Sequence, residues 1–119
     1  MIEALKPSRY FAPALEKLAC DLNSDKLDVF VTHQPPYGTA LDLAGHARHV
    51  GSKSVRDFIT KTQPMLCLCG HIHEARGADT IGKTKILNPG PLRHGCYVYA
   101  EIRPRPRQLR LAEIRSTAT

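Results

Sequence analysis

Gly70-His71-Ile72-His73-Glu74 places two imidazoles two positions apart behind a glycine. Neutral imidazole is a ligand for many divalent transition ions, so this spacing raises metal chemistry first. In an extended segment, residues two apart share a face, with backbones about 6–7 Å apart. That is too wide for easy sharing of one ion. It suits two ions about 3.5–4 Å apart, one per histidine, as in two-metal hydrolytic centres. Gly70 permits a sharp turn ahead of the pair. The competing reading is a polar loop with two incidental histidines.

The residues in front of the pair constrain it. Met65–Cys69 has the length and apolarity of a buried strand, and Pro64 marks its start. Cys67, Cys69, His71 and His73 offer a ligand type at every second position. Along an extended chain they spread over about 20 Å, whereas a tetrahedral zinc ion holds its ligands within about 2.0–2.3 Å. One Cys2His2 site therefore does not fit unless the strand folds back on itself.

A second strand must bring a partner. Leu27–Thr32 is β-rich and ends in His33. Gln34-Pro35-Pro36-Tyr37-Gly38-Thr39 cannot continue a sheet interior, because proline has no N–H to donate. Ala40–Gly51 reads as a long polar loop carrying His46 and His49. Ser52 opens a helix to about Thr62, with Val55, Phe58 and Ile59 as its buried side. Strand, loop, helix and strand make a βαβ unit, which calls for parallel strands and a right-handed crossover. Both strands then deliver histidines at one end of the sheet. The spacing thus predicts that His33 converges with His71 and His73, at the strand ends where open α/β sheets bind ligands.

The remaining segments are conventional. Tyr10–Leu22 reads as a helix whose apolar face carries Phe11, Leu15, Leu18, Ala19 and Leu22, with Ser8 as cap and Pro13 in the first turn. Asn23–Lys26 reads as a turn. Asp79–Gly82 and Thr84–Leu87 are short strands about a glycine turn, followed by the turn Asn88-Pro89-Gly90-Pro91. Cys96–Ile102 and Leu109–Ile114 alternate as strands around the basic turn Arg103–Arg107. The second half is expected to be mostly antiparallel hairpins. The whole reads as one α/β domain, residues 1–119.

Composition bounds the partners. The chain has 119 residues, 42% hydrophobic and 24% charged, which is ordinary globular usage with one modest core. A net charge of +6 permits a phosphate, nucleotide or nucleic-acid partner. Aromatic residues are too few and scattered for base-stacking platforms, so nucleic acid is permitted rather than indicated. No apolar stretch approaches the ~20 residues of a membrane span, and the first residues lack a signal-peptide core. A cytoplasmic location is the expectation, with Cys20, Cys67, Cys69 and Cys96 as reduced thiols packed in the core.

Thr32-His33-Gln34-Pro35-Pro36, Gly70-His71-Ile72-His73-Glu74 and Asn88-Pro89-Gly90 together resemble the carboxy-terminal half of the calcineurin-like metallophosphoesterases. The resemblance covers about Leu27 to Ile102. It implies part of a four-layer β-sandwich flanked by helices. It also implies two divalent metal ions (Mn, Fe, Zn, Ni or Co), His33 and His71 binding one and His73 the other. The implied reaction is hydrolysis of a phosphate monoester or diester, by in-line attack of a hydroxide on phosphorus. His49, ahead of a helix N-terminus, and Arg76, with its guanidinium fork, are candidates to face the phosphate. Ser52 reads as an ordinary cap, and His46 and His94 as surface residues.

The sequence also departs from that family. D-x-H, G-D-x-x-D and G-N-H-D/E, the family's amino-terminal signatures, do not occur. None of the candidate acids Asp28, Asp42, Asp57 and Glu74 has an evident bridging position. Two doubly charged ions 4 Å apart repel by roughly 16 kcal/mol at an effective dielectric of 20. Weak metal retention by this chain alone is therefore expected, as is an uncovered sheet edge. The expected state is a truncated or split phosphoesterase, completed by another copy or a complementary amino-terminal chain. The alternative is a non-catalytic basic binding module that keeps the fold.

Overall fold

The computed structural model describes residues 8–22, 27–45 and 48–117. The turn expected at Asn23–Lys26, the surface position of His46 and the side chains of Ser8 and Phe11 lie outside what is described. In chain order the elements are α1 (Ser8–Asp21), β1 (Val29–Val31), β2 (Leu43–Ala44), β3 (Arg48–His49), α2 (Lys53–Thr62), β4 (Leu66–Leu68), β5 (Gly77–Ile81), β6 (Thr84–Asn88), β7 (Cys96–Pro104) and β8 (Arg107–Ser116). Short 3-10 turns occupy His73–Ala75 and Leu92–His94.

The expected βαβ unit forms. β1 and β4 run parallel, with Val29 opposite Leu66, Phe30 opposite Cys67 and Val31 opposite Leu68. Between them α2 starts where Ser52 Oγ accepts from the Val55 amide at 3.1 Å, an ordinary cap as expected. It stops at Gln63, whose left-handed backbone sends its N–H back to the Ile59 carbonyl.

The sheet order is β1-β4-β6-β5. β5 and β6 form the expected antiparallel hairpin, but β6 also pairs with β4 in parallel. The second half is thus not simply a set of hairpins. Local turn signals reveal the β5–β6 connection, whereas pairing to a distant strand leaves no local mark. The span expected as a polar loop also contains structure: β2 and β3 pair antiparallel inside it, and Leu41 is fully buried. Two-residue strands are too short to generate a readable period.

Alternation along the strands separates two cores. Phe30, Cys67, Cys69 and Ile86 face the helices, where Leu15, Val55, Phe58 and Ile59 meet them. Val29, Leu66, Leu68 and Leu87 face the β7–β8 hairpin, through Val98, Leu109, Ala112 and Ile114. The result is three layers: helices, mixed sheet and two-stranded sheet. These layers make part of a helix-flanked sandwich of the kind expected. Lys85 Nζ donates to the Ala112 carbonyl at 2.6 Å across the sheet–hairpin interface. Arg107, in the basic turn region, pairs with Asp28 and donates to the Leu27 carbonyl at 2.7 Å, tying the hairpin tip to the entry of β1.

α1 differs from expectation in two details. It begins at Ser8, so Pro13 lies inside the helix rather than in its first turn, and it cannot donate to the carbonyl of Arg9. Leu18 is 42% exposed, so the buried side narrows to Leu15, Ala19 and Leu22. Among the described residues no helix is long and apolar enough to cross a membrane.

Among the described residues Phe58 is the largest fully buried side chain, and its ring lies 4.5 Å from that of Phe30, centroid to centroid. Phe58→Ala is expected to cost about 3–5 kcal/mol, read from urea unfolding. A loss below about 1 kcal/mol would mean that helix–sheet packing is not what holds this face together.

Candidate metal centre

The parallel ladder runs one step past the two strands. Thr32 N–H donates to the Leu68 carbonyl at 2.9 Å, and Gly70 N–H donates to the His33 carbonyl at 3.1 Å. His33 and Gly70 therefore lie side by side at the sheet end, with His71 next in line. His33 Nε2 and His71 Nδ1 are 2.8 Å apart, and the rings meet edge to face with centroids 4.7 Å apart. The structure thus brings together two of the three expected histidines.

The local backbone differs from an extended H-x-H. The unusual conformation falls on His71, at φ 68°, rather than on Gly70. A side chain in this left-handed region costs about 1–2 kcal/mol, so surrounding bonds must hold it there. His73 then opens the 3-10 turn, so the two rings do not share one face of a strand. His73 and Glu74 are exposed, while Ile72 and Ala75 are buried beneath them. Ile72 N–H donates to Gly70 at 2.8 Å and Ala75 N–H to Ile72 at 3.1 Å.

The donor set can be tested for fit. Two ring nitrogens 2.8 Å apart, each about 2.0–2.1 Å from a shared ion, subtend roughly 85°. That is close to the cis angle of an octahedron. A tetrahedral pair would need a spacing of about 3.3 Å. The His33–His71 spacing is therefore that of two cis ligands of one octahedral ion, provided the proton between the two nitrogens has left. Among the described residues, no group of three or more His, Cys, Asp or Glu side chains is placed to hold an ion. These residues thus complete no ion's shell by themselves.

The cysteines do not supplement it. Burial pushes the Cys69 thiol up to about 12 and the Cys67 thiol higher still, with a further push on Cys67 from its neighbour Cys69. Both thiols pack as core side chains, Cys67 fully buried and Cys69 6% exposed. Cys67, Cys69 and Cys96 are buried as expected, but Cys20 is exposed on α1.

Sequence reasoning gave Asp42 no role. It is fully buried and organises the segment after His33. Its carboxylate accepts from the amides of Gly38 at 3.0 Å, Thr39 at 3.1 Å and Gly51 at 3.0 Å, and from His49 Nδ1 at 2.6 Å. A Cβ on Gly51 would lie 2.6 Å from the Pro35 carbonyl and 2.7 Å from Asp42 Cβ, so only glycine lets the segment close. His49 is thereby engaged by Asp42 and stands 5.7 Å from the Tyr37 ring. Its coupling to a buried acid was invisible in the sequence, although Asp and Gly at turn positions are the usual signal of such a knot.

Asn88 was read only as a turn residue. It is 1% exposed, and its amide reaches the carbonyls of Ile72 at 2.9 Å and Ala75 at 3.2 Å. Arg76 follows the 3-10 turn, exposed, with its stem against Gly90. His94 is exposed, as expected of a surface histidine.

Comparison with known proteins follows this geometry. A family profile described as "Metallophosphoesterase, calcineurin superfamily" matches residues 8–109. An uncharacterised protein of Methanocaldococcus jannaschii is 44% identical over 71 residues, which are 56% of this chain and 33% of that protein. A UPF0046 protein of Caenorhabditis elegans is 35% identical over 63 residues, 52% of this chain and 16% of its own length. A solved crystal structure superposes on 92% of this chain and 40% of its own, with TM-score 0.64 and 23% identity, which supports the fold. In each case the match spans well under half of the other protein.

Burial alone would raise the affinity of Asp42 for a proton. The bonds from His49, Gly38, Gly51 and Thr39 outweigh it and hold the carboxyl below its ordinary value of 3.8. A depressed folded-state pKa contributes stability that is complete above the unfolded value and is lost as pH falls through the folded one. Asp42→Asn should therefore cost about 1–3 kcal/mol at neutral pH. The gap between wild type and variant should close in strong acid, below the ordinary carboxylate range. Urea titrations across pH that showed a constant gap would contradict this.

Proposed function

Because this chain belongs to the metallophosphoesterase, calcineurin superfamily, we propose that it forms the histidine-bearing carboxy-terminal half of a two-metal phosphoesterase domain. The observation that supports this reading most is the 2.8 Å approach of His33 Nε2 and His71 Nδ1 from the tips of parallel strands. Once the proton shared in that contact has moved to the far nitrogen of its ring, the two imidazoles offer two lone pairs to one ion, and His73, just beyond them in the chain, serves the second. Divalent ions, when bound, supply Lewis acidity and a nucleophile at neutral pH. Arg76 and His49 face the phosphate ester, the first through its fork of donors. Asp42 fixes His49 by taking its Nδ1 proton into a hydrogen bond, which leaves Nε2 to meet the ligand.

The reading requires a complement. Among the described residues β1 has β4 on one side and no strand on the other. Val31 on that edge is 70% exposed, and Thr32 Oγ1 is buried without a hydrogen-bond partner. An open cleft at this end of the sheet is lined by Val31, Thr32, His33, Leu68, Gly70 and Val98, and so includes one of the two histidines. A polypeptide that adds beside β1 and carries carboxylates would cover the edge and neutralise the ions. A complementary amino-terminal chain suits this better than a second copy, because two chains of charge +6 repel.

The test uses manganese and bis-p-nitrophenyl phosphate, with p-nitrophenyl phosphate alongside. The chain alone should bind manganese weakly and release little nitrophenol. Mixed with a polypeptide bearing D-x-H, G-D-x-x-D and G-N-H, it should form a stable complex by sedimentation and turn over ester. His73→Ala should abolish that turnover. A complex that binds metal yet hydrolyses neither ester would favour the non-catalytic binding module. A cooperative monomer indifferent to the second polypeptide would sink the split-domain reading.

A further inference from the structure

Asn88 is the last residue of β6, a strand paired on both sides, by β4 and by β5. Both the nitrogen and the oxygen of its side-chain amide are engaged in hydrogen bonds. Nδ2 donates to the carbonyl of Ile72 at 2.9 Å and to that of Ala75 at 3.2 Å. Oδ1 accepts from the Gly90 amide at 3.1 Å. Ile72 lies between the two histidines, and Ala75 ends the turn that His73 begins. The amide therefore grips the backbone on both sides of His73.

Apart from the buried side chains of Ile72 and Ala75 and the turn's own two backbone bonds, the Asn88 amide is what ties this segment to the sheet. His71, His73 and Glu74 are exposed, so burial orients none of them. His71 holds a left-handed backbone that its side chain disfavours. Only asparagine suits the position. Leucine would leave two carbonyls facing an apolar side chain, aspartate has no N–H to give, and glutamine is one methylene too long for these distances. Gly90, at φ 79°, turns the chain so that its amide returns to Oδ1. Its missing side chain leaves room for the Arg76 stem, which would lie 3.3 Å from an added Cβ.

We infer that Asn88 is a positioning residue: its side-chain amide, anchored in the sheet, sets the His71–Ala75 backbone and so aims the histidine rings. The inference rests on the metal-centre reading for its purpose and on the ring geometry for its content, and the two are tested separately.

The first readout is the ring-nitrogen NMR of the metal-free chain, which reports the His33–His71 hydrogen bond. The second is the affinity for cobalt(II) alone, by calorimetry. Asn88→Ala should remove the ring hydrogen bond and weaken cobalt binding by roughly tenfold or more. The control is Thr84→Ala. Thr84 is equally buried in the same strand and donates to the Pro64 carbonyl at 2.6 Å, at the end away from the histidines. It should lose stability while keeping both ring signal and affinity. If Asn88→Ala does not fold, Asn88→Ser keeps one polar group too short to span both carbonyls, and the same losses are expected. Unchanged rings and affinity in the Asn88 variants, or equal losses in Thr84→Ala, would overturn the inference. If wild type shows the ring hydrogen bond yet binds no cobalt, the metal reading fails and the ring signals alone judge Asn88.

Discussion

Two backbone hydrogen bonds carry the arrangement: Thr32 to Leu68, and Gly70 to His33. They extend the β1–β4 ladder beyond the last regular strand residues. A one-residue slip in that register would move the whole side-chain set of one strand to its other face. His33 would then point away from His71, and no rotamer change could restore a 2.8 Å approach. The position of the histidine pair is therefore a property of strand register before it is a property of the loops.

The register is itself fixed by burial on both faces. Phe30 and Cys67 must face the helices while Val29, Leu66 and Leu68 face the hairpin. Neither strand can slip without exposing one set and burying the wrong one. β6 then serves two ends. Leu87 and Ile86 lock it into the two cores, and Asn88 projects from it into the histidine turn. The same strand that completes the core thus carries the amide that holds the loop. Packing energy is converted into placement of exposed polar residues that have no packing of their own.

Much of this was legible in the sequence, and the boundary is physical. Pro35, Pro36 and Pro64 punctuate the strands, and an amphipathic helix between them dictates parallel pairing. That sufficed to bring His33 to His71. What could not be read was side-chain to backbone bonding. Asp42 and Asn88 look like ordinary turn formers, and nothing local distinguishes one that is solvated from one buried with every group satisfied. The left-handed backbone at His71 was assigned to Gly70, since glycine is the default occupant of that conformation. The β4–β6 pairing was missed because strand neighbours distant in sequence leave no periodic trace.

The acids of the chain give the incompleteness its physical content. Asp42 is saturated by three amides and an imidazole, so it has no capacity left for an ion. Asp28 is committed to Arg107, and Asp79 accepts from the amides of Ala40 and Thr80. These carboxylates hold the fold together, and withdrawing any one would strip hydrogen bonds from backbone donors or from a guanidinium. Imidazoles are neutral ligands and leave a divalent ion's charge intact. On the proposed reading these three carboxylates cannot neutralise it, and the task falls to Glu74, exposed beside His73, and to groups brought from beside the chain. The open edge at β1 is where such groups could reach the histidines without disturbing a carboxylate already in use. On the proposed reading, then, these structural acids stay with the fold and the acids of the metal site come from beside it.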